Sequence, residues 1–474
     1  MGMGKRKRLS GTAVLGMNCL LFALLLGTFI VFMSVYNPHL RLFYRRITAV
    51  IVFTFAVVYC ALSKSIGGYN VGHEKNKPII FSLALRVLLT DIVSYVEFVF
   101  MSYRRNSRET ILPVGEEIRM VCLVFLVQLV WIIIMVALGN KLYFKINPPE
   151  RCCLLTSSRE ALVHVMSKLQ KYRLRYKIVT VADYRDKNAR RIIADHEAVV
   201  FYAVPPNERV ELVEYAYHLN RNIYYSSEIP DIITRYARTT ILDDMAFMEV
   251  VNDRMTLEQR FIKRAMDIVV SALGLVILSP LMLGCAVAIK LCDGGPVFYR
   301  QDRVTHNDRV FSIFKFRSMA PGVGNIHRSA SVNDDRITPV GRFLRKYRLD
   351  ELPQLINILR GDMSLVGPRP EMVNNVKKYL GELPEFTYRT RMKAGLTGYA
   401  QIEGKYNTSP RDKLILDLMY IENYSLWLDV KLIIFTIRVF FKKDSTEGFM
   451  VRHFPEIENL PVKWMDGEEN VENA

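Results

Sequence analysis

KRAMDIVVSALGLVILSPLMLGCAVAIK, residues 263–290, decides the architecture. The 22 uncharged residues between Asp267 and Lys290 are enough to cross a bilayer as one helix. Ser279-Pro280 stands at their centre, however, where proline removes a helical hydrogen bond and bends the chain. Both flanks are basic, with Arg260, Lys263 and Arg264 before and Lys290, Arg300 and Arg303 after. A full span would export everything that follows. Symmetric basic flanks with a central proline suit a hairpin that enters and leaves by the cytoplasmic face.

Upstream lie uncharged runs at 11–36, 47–63 and 120–140, and a run at 79–101 interrupted by Arg86, Asp91 and Glu97. These predict four transmembrane helices in residues 1–145. The three charges read as helix-to-helix packing polarity and receive no function. Lys5 to Arg8 and the Lys and Arg of the second loop place both ends of this bundle in the cytoplasm, against the opposing Arg41, Arg45 and Arg46.

From 146 to 255 strand-like runs alternate with helices: Cys152–Leu155, 158–171, Lys177–Val181, Ala198–Val204 and a helix from Asn207. The order predicts a degenerate Rossmann-like α/β domain. Its first strand-to-helix turn, Thr156 to Glu160, lacks the glycines that let backbone approach a pyrophosphate, so a structural or dimerising module is expected rather than a nucleotide site.

The whole chain of 474 residues is half hydrophobic and carries a net charge of +17. Its mean hydropathy is +0.12. This argues against disorder and collagen and points to a membrane and to anionic partners. Seven scattered cysteines make neither a disulfide framework nor a CxxC metal site.

Residues 296–350 concentrate the charge, with eleven Lys+Arg against five Asp+Glu. The alternation Phe311-Ser312-Ile313-Phe314-Lys315-Phe316-Arg317 fits single-stranded nucleic acid stacking, and equally a plain strand with one apolar face. In Arg345-Lys346-Tyr347-Arg348-Leu349-Asp350-Glu351 adjacent carboxylates follow cations. One carboxylate can attack while the other holds a metal, and Arg345 and Arg348 would keep the nucleophile ionised. Arg369, between Pro368 and Pro370, is presented for a phosphate or carboxylate. Trp427 to Lys443, with Lys431, Arg438 and Lys442 on one face, reads as an interfacial helix or an amphipathic core helix. Residues 466–470 read as a solvated acidic tail.

Taken in order, Lys263-Arg264 with Asp267, Pro296-Val297-Phe298 with Gln301 and Arg303, Lys315-Phe316-Arg317-Ser318-Met319, Leu349-Asp350-Glu351-Leu352-Pro353-Gln354, Val366-Gly367-Pro368-Arg369-Pro370 and Lys393-Ala394-Gly395-Leu396-Thr397-Gly398 resemble the monotopic phosphoglycosyl transferases. These are bacterial sugar transferases that start exopolysaccharide, capsule and O-antigen synthesis. The resemblance covers about 256–450. With the four spans and the α/β module, the chain looks like the large members, the polyprenyl-phosphate hexose-1-phosphate transferases.

The resemblance implies an α-helical membrane protein of the bacterial inner membrane, with a mainly helical catalytic domain at 256–474 on the cytoplasmic face and a re-entrant helix at 268–289. It implies transfer of a hexose-1-phosphate from a UDP-sugar to undecaprenyl phosphate. Asp350 would attack the β-phosphate, releasing UMP, and Glu351 would ligate Mg²⁺. Lys315 and Arg345 match basic catalytic positions, Arg369 the uridine-phosphate end, and Arg317 a weaker substrate position. Asp417 matches a further acidic site residue, with Asp429 competing for that place. A homodimer and a lipid bilayer are the implied partners, and no nucleic acid. The alternative is a membrane-tethered, nucleotide-sensing scaffold without transferase activity.

Overall fold

The computed structural model describes residues 3–36, 46–103, 114–251, 255–320, 336–404 and 408–439. The first loop with Arg41 and Arg45 and the acidic tail lie outside these residues, as does Lys442. Two compact units divide the chain between Ser226 and Ser227.

The first unit begins with four helices, α1 (Met3–Tyr36), α2 (Arg46–Ile66), α3 (Asn76–Tyr103) and α4 (Val114–Ile146). Leu21, Leu25, Phe29, Phe55, Leu83, Val87 and Val124 form their common core. α1, α3 and α4 are long and apolar enough to cross a membrane, and α2 holds a shorter apolar stretch, Thr48–Ser63. The charges of α3 turn inward, as packing polarity requires. Arg86 Nη2 donates to Tyr59 Oη at 2.6 Å, Gln128 Nε2 donates to Asp91 Oδ1 at 3.2 Å, and Thr54 Oγ1 donates to Glu97 Oε1 at 3.0 Å.

There follow β1 (Glu150–Thr156), α5 (Arg159–Leu169), β2 (Tyr176–Asp183), α6 (Ala189–Ala194), β3 (Ala198–Tyr202), α7 (Pro206–His218) and β4 (Asn222–Tyr225). The strands form a parallel sheet in the order β2-β1-β3-β4. Parallel strands buried on both faces need near-continuous apolar runs, which Cys152–Leu155 and Ala198–Phe201 supply.

The second unit starts earlier than residue 256. α8 (Ile229–Arg235) buries Ile229 and Ile232 in the same core as Leu355, Leu414 and Leu418, and Arg411 is ion-paired to Glu228. A two-stranded hairpin, β5 (Arg238–Leu242) and β6 (Met245–Glu249), comes next.

α9 (Leu257–Asp293) is one helix of 37 residues. A Thr256–Gln259 capping box starts it, and Gly294 ends it at φ 68°, a left-handed conformation that glycine adopts without strain. Pro280 lies inside this helix rather than in a loop. α9 too is long and apolar enough to cross a membrane. With α1, α3 and α4 it makes four such helices among the described residues, consistent with a membrane protein.

The rest of the unit comprises β7 (Phe298–Val304), β8 (Val310–Phe316), α10 (Pro339–Lys346), α11 (Gln354–Arg360), β9 (Ser364–Val366), α12 (Val373–Glu382), β10 (Gly395–Thr397), α13 (Tyr399–Ile402), α14 (Pro410–Glu422) and α15 (Leu426–Val439). β7 and β8 pair antiparallel; Phe311 and Ile313 are buried on one side of β8 and Phe314 and Phe316 on the other, so the stretch from Phe311 to Phe316 is a strand. β9 and β10 pair in parallel so closely that a Cβ on Gly367 would stand 2.2 Å from the Lys393 carbonyl oxygen. α15 turns Leu428, Asp429 and Leu432 into the core, the packing of an amphipathic core helix.

Candidate active site

The acidic pair sits in one 3-10 turn, Leu349–Glu351, and the chain is steered into it by its neighbours. Thr338 caps α10 through Gly341 N, and Arg348 then takes a left-handed conformation, φ 52° and ψ 23°. For a non-glycine residue this costs about 1 kcal/mol. The surrounding packing holds it in place: Leu349 and Leu352 lie against Phe316, Leu344, Cys285 and Ile289, so the turn is seated on the second half of α9. α11 follows at once and ends at Gly361, φ 88°.

Asn357 of α11 braces the site from beneath. Its Oδ1 accepts from Phe314 N at 2.8 Å, and its Nδ2 donates to Ser312 O at 2.9 Å. This fully buried amide fixes β8, and with it Lys315, relative to the acidic turn.

Lys315 Nζ donates to Glu351 Oε1 at 2.9 Å, and Arg369 Nη2 lies 3.6 Å from the same oxygen. Burial opposes the Glu351 charge, but Lys315, Arg369 and Arg348 together outweigh it and hold this carboxyl well below its usual range. Asp350 goes the other way. Burial pushes its carboxyl up, Lys315 pulls it down, the charge on Glu351 pushes it up, and Arg345 pulls it down again. The neighbouring cations thus act more strongly on Glu351, and Asp350 is the more basic carboxylate of the two.

Arg345 presents a buried Nη1 with no hydrogen-bond partner. Arg303 is held by Gln301 Oε1 at 2.6 Å and Pro370 O at 3.1 Å, and its Nε is likewise unpartnered. Burial, followed by the charge of Arg369, lowers the Arg303 guanidinium to about 10. Unsatisfied buried donors beside a carboxylate pair form a cradle for an oxyanion.

Asp417 enters through an intermediary that sequence reading missed. Arg389 Nη2 donates to the Arg369 carbonyl at 2.5 Å and is ion-paired with Asp417 Oδ2 at 2.7 Å, the two side chains being 5% and 1% exposed. Burial outweighs Arg389 and raises the Asp417 carboxyl to about 6. Asp417 thus stands behind Arg369. Asp429 stands elsewhere, accepting from Lys263 Nζ at 2.6 Å and Tyr420 Oη at 2.7 Å. Arg317 is not brought against the acidic pair: it is ion-paired to Asp293 at the end of α9.

No group of three or more His, Cys, Asp or Glu suited to a metal lies among the described residues. The adjacent carboxylates of Asp350 and Glu351 are oxygen donors of the type that Mg²⁺ takes when substrate phosphates and water complete its shell.

Residues 258–443 match the family model of bacterial sugar transferases. The chain is 45% identical over 183 residues to a UDP-N-acetylgalactosamine-undecaprenyl-phosphate N-acetylgalactosaminephosphotransferase of Aeromonas hydrophila, covering 38% of this chain and 43% of the relative. It is 38% identical over 218 residues to the UDP-glucose:undecaprenyl-phosphate glucose-1-phosphate transferase of Escherichia coli, covering 44% and 47%. It therefore spans less than half the length of these two. Of a shorter relative, a UDP-glucose:undecaprenyl-phosphate glucose-1-phosphate transferase of Caulobacter vibrioides, it covers 68% at 41% identity, with 37% of this chain aligned. The aligned part holds the acidic turn and its cations, and on that match the chain belongs to the bacterial sugar transferase family.

Proposed function

We propose that this protein transfers a hexose-1-phosphate from a UDP-sugar to undecaprenyl phosphate through an aspartyl-phosphosugar on Asp350. The observation that carries this reading is the acidic turn among its cations: Glu351 accepts from Lys315 Nζ at 2.9 Å and lies 3.6 Å from Arg369, next to Asp350, whose carboxyl burial makes more basic. A basic carboxylate is the better nucleophile, and fixed cations stabilise the charge that develops on the phosphates.

In the first step an Asp350 oxygen bonds to the β-phosphorus, the bond to the bridging oxygen breaks, and UMP leaves. In the second, an oxygen of undecaprenyl phosphate attacks the same phosphorus and frees Asp350. Arg345 and Arg303 offer the unpartnered donors for phosphate oxygens, and Arg369, fixed by Arg389, meets the nucleotide end. A bound Mg²⁺, held by Glu351 with Asp350 beside it, would neutralise diphosphate charge.

The reading includes a re-entrant α9 and a catalytic unit on the cytoplasmic face of the inner membrane. Support comes from both halves of the helix packing on one unit, with Asp267 hydrogen-bonded to Leu365 N before Pro280, and Cys285 and Ile289 against Phe316 and Leu344 after it. A straight helix from Lys263 to Asp293 would extend about 45 Å, carrying its ends past opposite faces of a hydrocarbon core about 30 Å thick. Labelling of Cys292 and of a Phe261→Cys variant by an impermeant thiol reagent from the same side of the membrane is expected. Labelling from opposite sides would contradict re-entry.

A homodimer belongs to the same proposal. Support comes from the β5–β6 hairpin, where Ile241 is 72% exposed and Leu242, Met245, Phe247 and Met248 are also uncovered. Measured UMP release that depends on undecaprenyl phosphate, screened across UDP-sugars, tests the activity and names the sugar. No release with any UDP-sugar would overturn it and favour the scaffold reading.

A further inference from the structure

A second cationic site lies at the foot of α9, away from the acidic turn. A cavity of about 260 Å³ is walled by Arg260, Lys263, Arg264 and Asp267 of α9, and by Arg391 and Lys393 before β10, with Glu422 at the end of α14. Five Lys and Arg there face two carboxylates.

The positive charge is incompletely cancelled. Lys263 is paired with Asp429. Arg264, by contrast, donates to the carbonyls of Ile358 and Leu359 at 2.7 and 2.8 Å, and Lys393 to the carbonyl of Gly361 at 2.9 Å, all neutral partners. Asp267 is committed to Ser364 Oγ and Leu365 N, and Glu422 lies 3.7 Å from Arg391. Burial and the neighbouring Arg264 lower the Lys393 ammonium from its usual range, and the carboxylates of Asp267 and Asp362 only partly offset them.

Position supplies the ligand's identity. The apolar run of α9 starts at Ile268, one residue after the cavity wall, and Leu257, Phe261 and Ile262 are exposed beside it. With the apolar run in the hydrocarbon, Arg260 to Asp267 fall within about 12 Å of its edge, at the depth of lipid phosphates. We propose that this cavity binds the phosphate of an anionic membrane glycerophospholipid. The inference rests on insertion of α9 and not on the transfer reaction.

Full-length protein in nanodiscs of phosphatidylcholine doped with phosphatidylglycerol, released and weighed by native mass spectrometry, tests it. One retained phosphatidylglycerol per chain is expected, reduced about tenfold in Arg260→Gln/Arg391→Gln and kept in Arg260→Lys/Arg391→Lys. If the double glutamine chain does not fold, the exposed Arg391→Gln alone is read the same way. Equal retention in wild type and glutamine variants overturns the proposal, as does displacement of the lipid by millimolar inorganic phosphate, which would mark a free-phosphate site. Lipid retention by a chain that releases no UMP would leave this site standing while removing the transferase reading.

Discussion

Lys315 Nζ donates to Glu351 Oε1 over 2.9 Å, joining the end of β8 to the second carboxylate of the acidic turn. The same ammonium opposes the burial that makes Asp350 more basic. Replacing it by Lys315→Met removes a positive charge that lowers both carboxyls, so both rise. Asp350 must be ionised to attack, and the acid limb of UMP release is expected to move to higher pH, with a fall in rate of about 10²-fold. An unmoved limb in the pH profile would separate Lys315 from the nucleophile.

Glu351→Gln leaves the geometry of the turn but takes away the charge that Lys315 and Arg369 hold. UMP release is expected to drop by about 10²–10³-fold. Chelation of divalent ions should silence the wild type, and added Mg²⁺ should restore it. Full activity in a chelator would refute the assignment of a metal to Glu351.

The buried Arg389–Asp417 pair makes a prediction about stability. Removing one partner, as in Arg389→Met, leaves a buried charge and is expected to cost about 3–5 kcal/mol, while Arg389→Met/Asp417→Leu costs less. The pH dependence has a definite sign. Asp417 has a folded value of about 6, above the ordinary 3.8, so its contribution is complete below pH 3.8 and is lost as pH rises through 6. The stability of wild type minus that of Asp417→Asn should therefore fall by about 2–3 kcal/mol between pH 4 and 7, measured by denaturation in detergent. A difference that rises with pH would show that Arg389 outweighs burial.

Asn357→Ala removes the amide that satisfies Phe314 N and Ser312 O. A loss of about 2–3 kcal/mol is expected from the two orphaned backbone groups, measured by thermal unfolding, together with reduced UMP release as Lys315 loses its support. An unchanged melting temperature would mean that water replaces the amide.

What could be read from the sequence was what is local along the chain. Asp350 and Glu351 are adjacent and follow Arg345 and Arg348, so their meeting needs no tertiary information. Uncharged runs mark the long helices because a bilayer demands them. Arg389 could not be found in this way, since its partners Arg369 and Asp417 stand 20 and 28 residues away and meet it only after β9, β10 and α14 have packed. Ile229 and Ile232 carry no label saying which core they enter: α8 follows the α/β strands along the chain, yet packs with Leu414 and Leu418. Arg317 shares a motif with Lys315, but its partner Asp293 lies 24 residues away, which the motif does not show.

Purified protein incubated with UDP-sugar in the absence of undecaprenyl phosphate, followed by mass analysis of the peptide containing Asp350, isolates the covalent step. A hexose phosphate carried on Asp350, with one UMP released per chain and neither product from Asp350→Asn, is the expected result. UMP released at the wild-type rate by Asp350→Asn, or a wild-type burst that leaves the Asp350 peptide unmodified, would contradict it.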